Sequence, residues 1–252
     1  MTEVLDRPPA VPALAERRPP LGRLTALEIR KSLSTRSGRT LTGAAALLPA
    51  VGASLLFWLG ARPPSAPVLL GVLGALVSML LVSVGVLATA AEWTHRTVQT
   101  TFLTVPRRGR VLAAKYGGMA LLGGLIAGII VCTTFAVAAV GAGAGFSWAG
   151  AGVAVAVAIL AGAAMTIVGA GIGAAVANAP AALTGTYLVV LVGMTILNGV
   201  RPAWGRNVDP LAATYELISG QAGLARPVAV LTGWVLVTTV AGALLTRRRP
   251  IS

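Results

Sequence analysis

The sequence predicts an all-α, polytopic membrane protein: six transmembrane helices, N-in and C-in, preceded by an amphipathic helix at the membrane interface. Two observations predict this class. Of the 252 residues, 56% are hydrophobic and only 11% are charged, whereas soluble domains have about 25% charged residues. Apolar runs also recur along the chain, each near the roughly 20 residues that a helix needs to cross a bilayer.

The residues before the first apolar run divide into two parts. Residues 1–20 are rich in proline and charge and lack an apolar period, which predicts a disordered cytoplasmic tail. No apolar core of a cleavable signal peptide follows these charges, so we expect the first span to be an uncleaved anchor. Residues 21–39 predict a basic helix on the inner leaflet, with Arg30 and Lys31 at the membrane surface. A solvated lead-in is the alternative, because the apolar residues of this segment do not share one face.

A six-span membrane domain is predicted over residues 21–250, with breaks at segments rich in proline, glycine or charge. The fourth apolar run is too long for one straight span, so it requires a tilt, a kink near 169–173 or a partly exposed end. A polar external loop is expected at 201–226. The predicted spans are 41–60, 68–91, 113–140, 147–177, 181–200 and 227–246.

Glycines recur at the spacing of small residues, among them Gly117, Gly124, Gly128 and Gly162. Small residues let helix backbones approach closely in lipid. We therefore expect these glycines to pack inside the bundle, with a dimer face or a moving pore wall as the alternatives.

The distribution of lysine and arginine predicts the orientation. With the N-terminus inside, sixteen of the 20 basic residues lie on the cytoplasmic side. Because cytoplasmic loops carry the excess of basic residues, both termini are expected in the cytoplasm of a multi-pass protein of the cell membrane. Only Arg62, Arg201, Arg206 and Arg226 then lie outside.

One charged insert interrupts the apolar region. Seven charged residues occur between Thr40 and Arg201, and six of them fall within 92–115. A charged segment of this kind lies in water beside the membrane, where a partner can reach it. The alternative is an ordinary loop whose arginines only fix the topology. The segment 92–112 is thus a predicted cytoplasmic coupling loop.

The insert itself predicts a short amphipathic helix. Val98, Phe102 and Val105 recur at the i, i+4 and i+7 positions and form one apolar face. Pro106 disfavours helical geometry at the preceding residue and ends the helix. Basic residues follow, and we expect them at the membrane surface: Arg107, Arg108, Arg110 and Lys115.

Several function classes are disfavoured. The apolar interiors of the predicted spans contain no ionisable side chain, which argues against an ion-coupled carrier. The single histidine, His95, is in the loop and the single cysteine, Cys132, lies in a span, so neither a catalytic pair nor a metal site is expected. No phosphate-binding loop is present. Basic residues flank apolar runs instead of forming a face for nucleic acid. We expect a non-enzymatic chain that binds no cofactor.

The pattern Glu92-x4-Thr97, Leu103-x2-Pro106, Arg110-x4-Lys115 resembles the loop after the second span in ABC transporter permeases of the type-2 exporter class. The six-span layout and the basic lead-in Glu28-Ile29-Arg30-Lys31 resemble the same class, over roughly 21–249. The chain departs from the family pattern at Arg96, where the family usually has glycine.

The resemblance implies the membrane subunit of an ATP-driven exporter. Two six-span subunits, identical or different, would form the pathway, and two separate ABC ATPase subunits would bind ATP and Mg and dock on a coupling helix matching 93–105. It also implies an interfacial connecting helix over 21–36 and short external helices within 201–226. The residues assigned to ATPase docking are Glu92, His95, Arg96, Thr97, Val98, Phe102, Leu103 and Pro106.

The expected pathway wall of Ala, Val, Leu and Gly suits an amphipathic or apolar cargo, such as a drug, natural product, lipid or peptide. Membrane lipids are the remaining expected partner, and no nucleic acid is expected. The alternative function is a non-transporting membrane anchor or immunity protein that binds a cytoplasmic partner through 92–115.

Overall fold

The computed structural model describes residues 20–94 and 108–249, and within them the chain forms a bundle of α-helices. Six helices are long and apolar enough to cross a membrane, which confirms the predicted fold class of a multi-pass membrane protein. The helices are α1 (Leu21–Ser34), α2 (Arg36–Trp58), α3 (Ala66–Thr94), α4 (Arg108–Gly141), α5 (Ala151–Val176), α6 (Ala179–Tyr187), α7 (Met194–Val200), α8 (Pro202–Arg206), α9 (Pro210–Ser219) and α10 (Ala225–Arg248).

Thr35 separates the lead-in helix α1 from the first span, α2. Its backbone is extended, with φ −84° and ψ 148°, and its Oγ1 accepts a hydrogen bond from the Gly38 amide at 3.0 Å. A threonine side chain in this position satisfies one of the amides that a helix start leaves unpaired. The chain therefore turns at Thr35, and α1 is a separate helix that packs against α4.

The central helix of the bundle is α5, which contacts α3, α4 and α10. Glycines allow the backbones of these helices to approach one another closely. A Cβ atom on Gly169 would lie 2.0 Å from the carbonyl oxygen of Val82, and one on Gly123 would lie 2.5 Å from that of Gly162. A Cβ on Gly171 would come within 2.6 Å of the α10 backbone. Of the glycines expected to pack inside the bundle, Gly162 does so, with a Cβ position 2.7 Å from Ala127 Cβ, whereas a Cβ on Gly128 would meet nothing within 4 Å.

The long fourth apolar run contains one unbroken helix, α5, from Ala151 to Val176. The predicted start of the span, 147–150, is a turn outside the helix. Part of the excess length therefore lies outside the helix, and the described backbone has no break near 169–173, so the run is not kinked there. The tilt stays a prediction. A single β-bridge between Ser65 and Ser147 joins the two connections at this end of the bundle.

The fifth span is a composite helix, Ala179–Val200. It begins where the Asn178 side chain accepts a hydrogen bond from the Ala181 amide at 3.0 Å. A π-helical segment, Leu188–Gly193, then joins α6 to α7.

The segment predicted as a polar external loop is folded. It contains α8 and α9, and α9 packs against α3, α5 and α10. Asp209 Oδ1 accepts hydrogen bonds from the amides of Leu211 and Ala212, at 2.9 and 3.2 Å. Its Oδ2 accepts one from Asn198 at 2.9 Å. Asp209 thus starts α9 and connects it to the end of the fifth span.

Candidate functional site

Four charged side chains from α1, α3 and α4 meet at one end of the bundle. Lys115 Nζ lies 2.6 Å from Glu28 Oε2 and 3.0 Å from Glu92 Oε1. Lys31 Nζ lies 3.1 Å from Glu28 Oε1 and 3.1 Å from Glu92 Oε1. Each lysine contacts both carboxylates, and the formal charges cancel. We call these four residues the charge cluster.

The two lysines of the charge cluster differ in burial. The Lys115 side chain is only 4% exposed, whereas that of Lys31 is 48% exposed. Lys115 Nζ also donates a hydrogen bond to the carbonyl oxygen of Ala88, at 3.2 Å. Removing a lysine from water is costly unless its ammonium group is paired and hydrogen-bonded. Glu28, Glu92 and the Ala88 carbonyl group provide the ion pairs and the hydrogen bond that this buried side chain requires.

The mutual pairing also decides the ionisation of the α1 residues. Burial acts to raise the pKa of Glu28, but Lys115 and Lys31 outweigh it and hold this pKa below its ordinary value of 4.5. Burial acts to lower the pKa of Lys31, but Glu92 and Glu28 outweigh it and hold this pKa above its ordinary value of 10.5. Both residues are charged at neutral pH as a result.

The cluster assembles because α1 packs closely on α4 at Gly118. A Cβ atom on Gly118 would lie 3.2 Å from the carbonyl oxygen of Thr25 and 3.1 Å from Glu28 Cβ. The absence of a side chain at Gly118 therefore lets α1 lie directly on the first turns of α4. This contact brings Glu28 within reach of Lys115, while Glu92 arrives from the last turn of α3.

The charge cluster joins both ends of the predicted coupling loop. Glu92 is the first residue of the predicted loop 92–112 and Lys115 lies three residues after its end, and each is paired within the cluster to a residue of α1. A displacement of the loop would therefore act on three helices through one set of ion pairs.

A second set of polar contacts, made by Arg249, lies at the same end of the bundle. Arg249 donates hydrogen bonds to the carbonyl oxygens of Ala174 and Ala175, at 2.8 and 2.5 Å. Its guanidinium also lies 5.1 Å from the ring centroid of Trp93. A cation at the last carbonyls of a helix satisfies them and complements the helix dipole. Arg249 thus connects the end of α10 to the ends of α5 and α3.

Replacing Arg249 with alanine should lower the free energy of unfolding by about 1 kcal/mol, because the last turn of α5 loses its charged donor. Thermal unfolding of the purified protein in detergent measures this loss. Arg248→Ala, at the exposed neighbouring position, is the matched control and should leave the transition unchanged. If both substitutions lowered the free energy of unfolding equally, Arg249 would contribute only its charge, and its hydrogen bonds to α5 would not stabilise the protein.

The structure brings together three of the predicted site residues, Glu92, Lys31 and Lys115. Lys115 was expected at the membrane surface, but it is buried, because α1 covers it and supplies Glu28 as a counter-ion. Arg30 is exposed on the opposite face of α1. Arg108 and Arg110 belong to the first turn of α4. The remaining predicted site residues lie outside the described part of the chain: His95, Arg96, Thr97, Val98, Phe102, Leu103, Pro106 and Arg107.

Sequence reasoning did not assign a role in the site to Glu28. The available signal was its spacing to Lys31, since an acidic and a basic residue three positions apart share a helix face. That spacing indicates the pair within α1, but not the third partner on α4.

Comparison with known proteins adds no family assignment: no protein-family model matches the chain, and no curated protein does either. Within residues 20–94 and 108–249, no three His, Cys, Asp or Glu side chains are grouped as metal ligands would be.

Proposed function

We propose that this chain is the membrane subunit of an ATP-driven ABC exporter of the type-2 class. In this proposal it forms the translocation pathway with a second six-span subunit, in the cell membrane and with both termini in the cytoplasm. Two cytoplasmic ABC ATPase subunits dock on the loop between α3 and α4. The cargo is an amphipathic or apolar molecule.

The observation that carries the proposal is the charge cluster. A transport subunit without its own nucleotide site must receive motion from a partner, and packed elements transmit such motion as rigid bodies. Glu92 and Lys115 lie at the two ends of the loop and are 3.0 Å apart at their charged atoms. Both are also paired to residues of α1. A partner that pushes on the loop would therefore move α1, α3 and α4 together.

The position of the basic residues supports the proposed orientation. The spans alternate in direction, so the charge cluster, the start of α2 and the end of α10 share one end of the bundle. Most of the lysines and arginines of the described residues belong to this end. The end with α8 and α9 has Arg62, Arg201, Arg206 and Arg226. By the excess of basic residues on the inner side, the end with the charge cluster faces the cytoplasm.

The positions of the buried charged side chains support transport driven by ATP on another chain, not by an ion gradient. Among the described residues, the buried charged side chains are Glu28, Lys115 and Asp209. Glu28 and Lys115 lie at one end of the bundle and Asp209 at the other. Ion-coupled carriers place ionisable groups near the middle of the membrane. The described interior therefore favours a mechanism driven by ATP on another chain.

Replacing Phe102 with aspartate should abolish association with the ABC ATPase, because Phe102 is the largest apolar residue of the predicted docking face. Each ABC ATPase encoded in the source genome is co-expressed in turn with the tagged chain, and its recovery is measured after purification in detergent. Thr100→Asp is the matched control, since it adds the same charge on another face of the predicted helix. It should keep the ATPase bound.

Both variants are first shown to fractionate with the membrane in wild-type amounts. Unchanged ATPase recovery with the Phe102 variant would contradict docking through this face. If the wild-type chain captures only a partner without an ATP-binding motif, the non-transporting anchor becomes the better description.

A further inference from the structure

A cleft of about 560 Å³ opens at the elbow between α1 and α2, on the same end of the bundle as the charge cluster. We call it the elbow cleft. Its volume falls within the range of about 300–1,000 Å³ that is typical of small-ligand sites. It runs between the first turns of α2 and the last turns of α3, and Ala179 at the start of α6 also lines it.

The two walls of the elbow cleft have opposite character. The α3 wall is apolar along most of its length, with Val84, Leu87, Ala88 and Ala91, and Leu41 of α2 continues it. These residues belong to the spans, so this wall lies within the membrane. The α1–α2 wall is rich in hydroxyl groups, contributed by Ser32, Ser34, Thr35, Ser37 and Thr42.

The mouth of the elbow cleft carries an excess of positive charge. Lys31 lines it with a half-exposed side chain. Glu92 also lines it, and the charge cluster to which Lys31 and Glu92 belong is neutral. The excess of positive charge at the mouth therefore comes from α2. Arg36 and Arg39 are exposed on the first turn of α2, next to the elbow. The described charges at the mouth thus favour an anionic group.

We propose that the elbow cleft binds a membrane phospholipid, with its phosphate at the Lys31 end and one acyl chain along the α3 wall. The hydroxyl groups of Ser32, Ser34 and Thr35 already donate to backbone carbonyl oxygens, which leaves those of Ser37 and Thr42 on this wall. The occupant matches three properties: a charged mouth at the level of the headgroups, these two hydroxyl groups beside it, and an apolar wall that extends into the membrane. The volume accommodates one acyl chain and part of the head, so the second chain remains in the bilayer. This inference does not depend on the proposed transport.

The test uses the purified full-length protein in detergent and a phosphatidylglycerol probe with a photoreactive acyl chain. After irradiation, labelled peptides are identified by mass spectrometry as the probe concentration is raised. Labelling in peptides containing Leu41, Val84 or Leu87 should saturate. A diacylglycerol probe with the same chain but no phosphate should label them about tenfold less.

Ala91→Trp fills the elbow cleft and should also reduce this labelling about tenfold. Leu48→Trp adds the same side chain to the exposed surface of α2 and should leave it unchanged. Labelling that rises linearly without saturation, equal labelling by the diacylglycerol probe, or an unchanged signal in Ala91→Trp would each overturn the proposal. If Ala91→Trp does not fold, the comparison of the two probes on the wild-type protein still shows whether the cleft binds a phospholipid.

Discussion

Replacing Lys115 with methionine should lower the free energy of unfolding by about 3 kcal/mol, because removing one member of a buried ion pair leaves its partners uncompensated. The Lys115 side chain is 4% exposed and lies 2.6 Å from Glu28 and 3.0 Å from Glu92. In the variant both carboxylates would lose the buried lysine. Unfolding in detergent, followed by circular dichroism, measures the difference.

Lys31→Met is the matched control for this experiment. Lys31 contacts the same two carboxylates, but its side chain is 48% exposed. An exposed ion pair contributes about 0–1 kcal/mol, so the control should lose far less stability than the Lys115 variant. The double variant Glu28→Met with Lys115→Met removes a negative and a positive charge together and should recover part of the loss. Equal losses in the two single variants would contradict the assignment of Lys115 as the buried centre of the cluster.

Replacing Gly169 with alanine should destabilise the bundle by about 2 kcal/mol, because the added methyl group overpacks a contact between two backbones. The new Cβ would lie 2.0 Å from the carbonyl oxygen of Val82 on α3, and backbone atoms cannot move aside as a flexible side chain would. Helices α3 and α5 would have to separate. Thermal unfolding in detergent measures the loss.

Gly152→Ala is the matched control, since it changes the same helix by the same methyl group. A Cβ there would meet nothing within 4 Å. The higher helix propensity of alanine should make this variant neutral or more stable by up to about 1 kcal/mol. Destabilisation of both variants by the same amount would mean that Gly169 has no special role in the contact between α3 and α5.

The number and type of the spans could be predicted because hydropathy and length are local properties of a segment. The same reasoning gave helix limits that differ by several residues from the structure. For example, α2 begins at Arg36, before the predicted start at 41. The extra turn depends on Thr35, whose capping hydrogen bond is not visible in a hydropathy pattern.

The site could be predicted only in part. Glu92, Lys31 and Lys115 stand out in sequence as charged residues beside apolar runs, but nothing local to any of them specifies a shared partner. These three side chains come into contact only because α1 packs on α4 at Gly118, which has no side chain. That is a tertiary contact, and it also explains why Lys115 is buried.

A local sequence pattern within residues 201–226 indicated that this segment contains a helix, although its polar composition suggested a loop. Asp209 directly precedes Pro210, and an acidic cap followed by proline is typical of a helix start. The structure has α9 there, with the Asp209 side chain accepting hydrogen bonds from its first amides. The role of Arg249 had no comparable signal, because it depends on which helix ends lie side by side.

In the proposed function, an ABC ATPase binds the loop between α3 and α4. Photo-cross-linking in intact membranes tests this binding, with a photoreactive amino acid at position 102 and, as a control, at exposed position 48 of α2. We expect a covalent adduct between position 102 and an ABC ATPase, identified by mass spectrometry, and none from position 48. An adduct from position 102 with lipid alone, or with a protein that lacks an ATP-binding motif, would contradict it.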